Sequence, residues 1–187
     1  MSTTETSRIP HELDLLIEFV NTRDVEEATD ELQTTAGLAG WLAARGLLAR
    51  GASASEDELR RAVELREALR SLMLANNGAE PDVRAASLLE QAARAGDLCV
   101  HFEPDGSVRV APDEPGVDGA LAKLLIPISA AAGDGSWRRV KACRADDCLW
   151  AFYDRSRNRS GVWCNMAVCG NREKVRTYRS RATRRSN

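Results

Sequence analysis

The 187-residue chain is poor in aromatics, which make up 5% of it, and it has no run of about 20 apolar residues of the kind a helical membrane span needs. Its start, MSTTETSRIPHELD, lacks the basic head and apolar stretch of a secretory leader, so a cytoplasmic setting without a membrane partner is expected. A glycine-rich phosphate loop, a Gly-x-Ser-x-Gly elbow and a His-Glu-x-x-His pair are all missing, and the two histidines, His11 and His101, stand apart. No enzymatic activity is expected. What is present, 43% apolar and 29% charged residues, is the make-up of a globular protein long enough to bury a core.

The formal charge of −2 hides a strong asymmetry. Residues 136–187 hold 14 of the 26 basic residues but 4 of the 28 acidic ones, a formal +10, and residues 1–135 carry a formal −12. A basic segment this dense commonly meets a polyanion or an acidic protein face.

Four of the five cysteines, Cys143, Cys148, Cys164 and Cys169, fall in that basic segment as C-x4-C-x15-C-x4-C. Two short pairs separated by a hairpin-sized loop match a structural site in which four thiolates hold one Zn2+ per chain and leave no open position for catalysis. The alternative is a set of buried or redox-active thiols; a reducing compartment favours the metal. Cys99, between Leu98 and Val100, reads as a core residue.

Periodicity makes the front helical. Leu13, Leu16, Ile17 and Val20 form one apolar stripe, and Thr35 is expected to cap a second helix holding Leu38, Trp41 and Leu42. Ser55 and Glu58 form a capping box for a third, with Arg66 among its apolar positions. A fourth helix runs from Pro81 to about Ala95, a β-hairpin turns at Pro104-Asp105-Gly106, and a fifth helix near 117–132 is kinked or split by Pro127. Gly133-Asp134-Gly135-Ser136 reads as a flexible joint. Beyond it, residues 149–153 are expected to pair with 161–163, and a helix follows Gly170. The fold class is thus mainly α: a helical N-terminal domain (1–135) with a small β-hairpin, then a treble-clef-like four-cysteine zinc finger (136–187) ending in a basic helix.

The tail, with Cys169-Gly170-Asn171-Arg172, resembles the CGNR zinc finger. The front, with LDLLIEFVNT from Leu13, Leu38-Ala39-Gly40-Trp41-Leu42 and LREALRSLM from Leu65, resembles the ABATE domain that precedes that finger in bacterial proteins described as stress-induced transcription regulators. The resemblance implies transcription regulation in a stress response. One departure is Arg159-Ser160-Gly161-Val162 before Trp163, where many relatives run basic residues directly into Trp-Cys.

Arg172, Arg176 and Arg179 recur along the last helix, with Lys174, Arg181, Arg184 and Arg185 around it and Arg155, Arg157 and Arg159 in the preceding turn. This suits double-stranded DNA; docking on an acidic protein face is the alternative. Arg172 serves either phosphate or the zinc centre, whose formal charge of −2 it would offset. Asn171 either caps the helix or bonds a cysteine sulfur. In the front domain Asn21, Arg66 and Arg70 have the chemistry to line a pocket for a small anionic effector. Their local alternative has Asn21 capping the first helix and Arg66 paired with an acid such as Glu18. Sensing, homodimerisation and partner docking are the roles open to that domain. Removing zinc is expected to unfold the tail and leave the helical body intact.

Overall fold

The computed structural model describes residues 11–185, and the side chains of 13–179 among them. Helix α1 (His11–Val20) buries Leu13, Leu16, Phe19 and Val20, with Ile17 only half-buried. Phe19 turns inward because its ring meets Trp41 of the next helix at 5.3 Å between centroids, tilted by 59°. After α1 the chain folds into a short antiparallel ribbon of β1 (Arg23–Asp24) and β2 (Thr29–Asp30). Helix α2 (Thr35–Ala44) is capped by Thr34 rather than Thr35: the Thr34 hydroxyl, on extended backbone, accepts from the Gly37 amide at 3.0 Å. Adjacent threonines offer the same chemistry, and backbone conformation decides between them.

Helix α3 (Glu56–Asn76) is the axis on which α1, α2 and the later elements pack. It opens on the expected capping box: Ser55 Oγ accepts from the Glu58 amide at 3.3 Å, and the Glu58 carboxylate accepts from the Ser55 amide at 2.7 Å. Helix α4 (Val83–Ala95) follows a cap by Asp82, and β3 (Leu98–Phe102) pairs with β4 (Val108–Pro112) across a turn where Gly106 takes φ +84°. Cys99 is not a core residue: it is half-buried, with its thiol 3.6 Å from Asp97 Oδ1.

The fifth predicted helix is two, α5 (Gly116–Lys123) and α6 (Ile126–Asp134). Pro127 lies in the first turn of α6, where its missing N–H leaves no bond unmade. Together residues 116–134 are long and apolar enough, by length and composition, to cross a membrane, contrary to the sequence expectation. In this fold the stretch is broken in two: Val117, Ala120 and Leu121 of α5 and Leu124 after it are buried, whereas α6 buries Ala131 alone.

The segment read as a flexible joint is the end of α6, closed by Gly135 in the left-handed region (φ +78°). After a 3-10 turn at Trp137–Arg139 the chain forms β5 (Val140–Ala142), which pairs with β6 (Ala151–Tyr153). The 149–153 segment therefore pairs upstream and not with 161–163 as expected. The carbonyls of that downstream segment are taken by side chains and by Arg144 N: Val162 O accepts from Asn77 and Arg144, and Gly161 O from Lys141.

The two β-strands join the helical core, since Val140, Ala142 and Ala151 are buried in one cluster with α1 and α3. At the end of α3, Asn76 Nδ2 donates to the carbonyls of Trp137 and Val140, both at 2.9 Å, and Asn77 Nδ2 to those of Ala142 and Val162, both at 2.8 Å. Asn77→Ala strips partners from two carbonyls at once. A loss of about 1–3 kcal/mol in urea unfolding is expected, and a variant as stable as the parent would show that water replaces the amide.

Candidate metal centre and basic helix

Cys143 follows β5 and Cys148 precedes β6, so the first pair sits in the turn of the β5–β6 hairpin. The chain reverses there through a left-handed Leu149 (φ +55°), with Cys148 N and Leu149 N both donating to Ala145 O. Cys143 N donates to Trp150 O at 2.9 Å and closes the knuckle. The second pair spans the turn leading into α7 (Asn171–Arg185). Met166–Gly170 forms one π-type turn, capped by Asn165, whose side chain accepts from the amides of Ala167 and Val168 at 2.9 and 3.3 Å.

The four sulfurs lie within 4.8 Å of one another, with Cys148–Cys164 at 3.5 Å and Cys164–Cys169 at 3.7 Å. The edge of a tetrahedron with Zn–S bonds of about 2.3 Å is about 3.8 Å, so the donor set fits zinc. Cys143, Cys148 and Cys169 are buried, with Trp150, Trp163 and Cys164 packed beside them. Burial pushes the Cys148 thiol up to about 12 and raises that of Cys164 as well. Burial also acts to raise Cys169, but hydrogen bonds from the neighbouring thiols and Arg172 outweigh it and hold that thiol below its ordinary value. Zinc entering this cluster must displace protons, and its affinity falls as pH falls.

Gly170 sits in a close space, and Asn171 differs from both local expectations. A Cβ at Gly170 would meet Met166 Sδ and sit 3.0 Å from Trp163 Cδ1, so the exposed Met166 side chain would have to move aside. Asn171 neither caps the helix nor reaches a sulfur; its Nδ2 donates to Ala167 O at 3.0 Å. Arg172 does belong to the centre: Nη2 lies 3.5 Å from Cys169 Sγ, and the same guanidinium pairs with Glu26 of the β1–β2 turn at 2.9 Å.

Comparison with protein families now bears on this arrangement. Residues 13–134, more than half of the chain, match ABATE, described as "Putative stress-induced transcription regulator". The chain belongs to the ABATE family. Residues 139–182 match the CGNR zinc finger. No curated protein matches the chain. The ABATE match ends in α6 and the CGNR match begins at Arg139, on either side of Gly135. The CGNR match includes all four cysteines, so the finger and the cluster together suggest a zinc site.

Of the polar residues expected either to line an effector pocket or to serve locally, Arg66 pairs with an internal acid, Asp30 in place of Glu18, while Asn21 and Arg70 bond to the CGNR finger. Asn21 does not cap α1. It donates to Ala151 O at 2.9 Å and accepts from Ala151 N at 2.8 Å, so a single amide serves as a ladder partner for β6. Arg70, 3% exposed, donates to Leu149 O and Val20 O, each at 2.7 Å. Arg66, 1% exposed, pairs bidentately with Asp30 at 2.7 and 2.8 Å and with Glu67 at 2.9 Å. Glu18 pairs with Arg45 instead. Burial pushes the Asp30 carboxyl up, but hydrogen bonds from Arg66 and the Leu32 amide outweigh it and hold the group below the usual carboxylate range. These three residues thus gather around knuckle backbone and a half-buried ion pair.

The predicted basic positions are mostly exposed. Lys174, Arg176 and Arg179 of α7 face solvent, as do Arg155, Arg157 and Arg159 of the turn. Arg176 pairs with Glu173 at 2.6 Å and Asp146 at 3.8 Å. The turn is tied down by Arg139, whose Nη1 donates to Asp154 O and Ser156 O, and by Lys141, which donates to Arg159 O. The side chains of Arg181, Arg184 and Arg185 lie outside the described residues. Val175 and Tyr178, apolar residues of α7, are 49% and 76% exposed.

Proposed function

We propose that this chain is a non-enzymatic, DNA-binding transcription regulator whose C-terminal helix contacts the phosphate backbone. The carrying observation is α7 itself. It has 15 residues, packs chiefly on the 166–170 turn, and holds Lys174, Arg176 and Arg179 in solvent. A helix of that length is about 22 Å long and of a width that enters a major groove. One structural zinc per chain holds its base, and the family description agrees with the reading. The body supports the finger by gripping its backbone through Asn21, Arg70, Asn76 and Asn77.

Exposed Met166, Val168, Val175 and Tyr178 favour a second reading, a protein-interaction finger. Duplex binding measured against salt separates the two. The DNA reading predicts that log affinity falls linearly with log salt, at about −0.9 per phosphate contacted. Arg176→Ala with Arg179→Ala then weakens binding to any duplex by roughly tenfold at low salt and flattens the slope by up to about 1.8, with zinc retained. No duplex binding by the zinc-loaded protein, even at low salt, leaves the protein-interaction reading.

A further inference from the structure

The basic helix is not offered to a polyanion whole. Arg172 Nη1 lies 2.9 Å from Glu26 Oε1 and Nη2 lies 3.4 Å from Oε2, the two-pronged geometry with which a guanidinium also grips a phosphate. Nη2 lies 3.5 Å from Cys169 Sγ as well. Nε is a buried atom without a hydrogen-bond partner, 3.4 Å from Asp147 Oδ2. The paired face of the guanidinium is therefore filled by the body's own carboxylate.

We infer that Glu26 acts as an internal substitute for phosphate, holding Arg172 against the body in the free protein and competing with DNA for it. Its effect on affinity rests on the DNA-binding reading above; the contact itself does not. The two partners are held from opposite sides. Glu26 lies in the β1–β2 turn, which is fixed to α3 through the Asp30–Arg66 pair and closed by Glu31 N donating to Thr22 O at 2.8 Å. Arg172 is held by the zinc centre through Cys169. Release of Glu26 thus frees an arginine at the base of α7 and loosens the body from the finger at one point. The pair is partly exposed, 36% for Arg172 and 43% for Glu26, so solvent screens it and a phosphate with comparable geometry can displace it.

The comparison is between Glu26→Gln and Glu27→Gln. Both remove one exposed acid from the same turn, but Glu27 lies outside the Arg172 contact. With zinc content verified, Glu26→Gln should bind a generic duplex several-fold more tightly at low salt, with a salt slope steeper by about 0.9, one added phosphate contact. Glu27→Gln should leave the slope unchanged. In an Arg172→Gln background the gain from Glu26→Gln should vanish. If that background loses zinc, Arg172→Lys, which keeps the charge without the fork, replaces it. Equal effects of the two glutamine variants, or a gain that persists without the Arg172 fork, overturn the competition. Should no variant bind any duplex, the DNA reading fails, and amide exchange decides the contact. Several-fold faster exchange at residues 172–176 in Glu26→Gln supports it, and unchanged exchange overturns it.

Discussion

Chelating zinc at neutral pH should unfold the finger and also loosen the body, lowering the melting temperature of the whole chain. Structural zinc sites of this kind contribute on the order of 10 kcal/mol or more, and few aliphatic side chains surround the four cysteines to compensate. The sequence alone suggested that the body would survive intact. The structure argues otherwise, because Val140, Ala142 and Ala151 belong to the body's core and the side chains of Asn21, Arg70, Asn76 and Asn77 end on finger backbone. Loss of the knuckle leaves these donors without their partners, at about 1–3 kcal/mol for each that stays buried. Amide exchange in the last turns of α3 after chelation is the decisive measurement. Protection there equal to that of the zinc-loaded protein would restore the picture of an independent body. Cys143→Ser should reproduce the effect without a chelator.

The second large effect is expected at Lys141 and Asp154, 4% and 3% exposed. Lys141 Nζ donates to Asp154 Oδ2 at 2.7 Å and to the carbonyls of Arg159 and Gly161 at 2.6 and 2.9 Å. Asp154 accepts in turn from the amides of Ser156 and Gly161, each at 2.9 Å. This network holds the whole 154–161 turn that carries Arg155, Arg157 and Arg159. Asp154→Asn leaves a buried ammonium without its counter-charge, and a loss of about 3–5 kcal/mol is expected at pH 7. Replacing both residues by apolar ones of similar volume should cost less, since no lone charge remains.

Acid should report the same pair. Burial alone would push the Asp154 carboxyl up, but the bonds from Lys141, Ser156 and Gly161 outweigh it and hold the group at about 2, below its ordinary 3.8. A folded value below the unfolded one contributes stability that is fully present above about pH 4–5 and disappears as pH falls through 3.8 towards 2. The contribution is about 2 kcal/mol. Urea unfolding at pH 7 and pH 3 should therefore show a steeper acid loss in the parent than in Asp154→Asn. Parallel losses would remove Asp154 from the acid response.

Features confined to a few consecutive residues were legible from the sequence. The Ser55–Glu58 box, the break at Pro127 and the hairpin at Gly106 each depend on neighbours within four or five positions. The clustering of the four cysteines was equally clear, because two C-x4-C pairs carry their own geometry. The pairing of β6 was misread because Gly161-Val162-Trp163 is as competent a strand by composition as Val140-Lys141-Ala142. Only the arrival of Lys141, Asn77 and the Arg144 amide at the later segment's carbonyls excludes it from a ladder.

The sequence by itself determined that the front is helical with a capped start at Ser55 and a break near Pro127, that four cysteines share a metal-binding spacing, and that acid and base are segregated along the chain, since hydrophobic period, capping chemistry and ligand spacing are local properties. Only the tertiary structure decided what the polar groups in the apolar stripes do. Asn21 meets Ala151 across 130 positions and Arg70 meets Leu149 across 79. A buried amide or guanidinium must find acceptors somewhere, and its type states that need without saying which distant carbonyl packing will bring within 3 Å. For the same reason Arg172 could be read equally as a phosphate contact or as part of the zinc centre until the fold set Glu26 beside it.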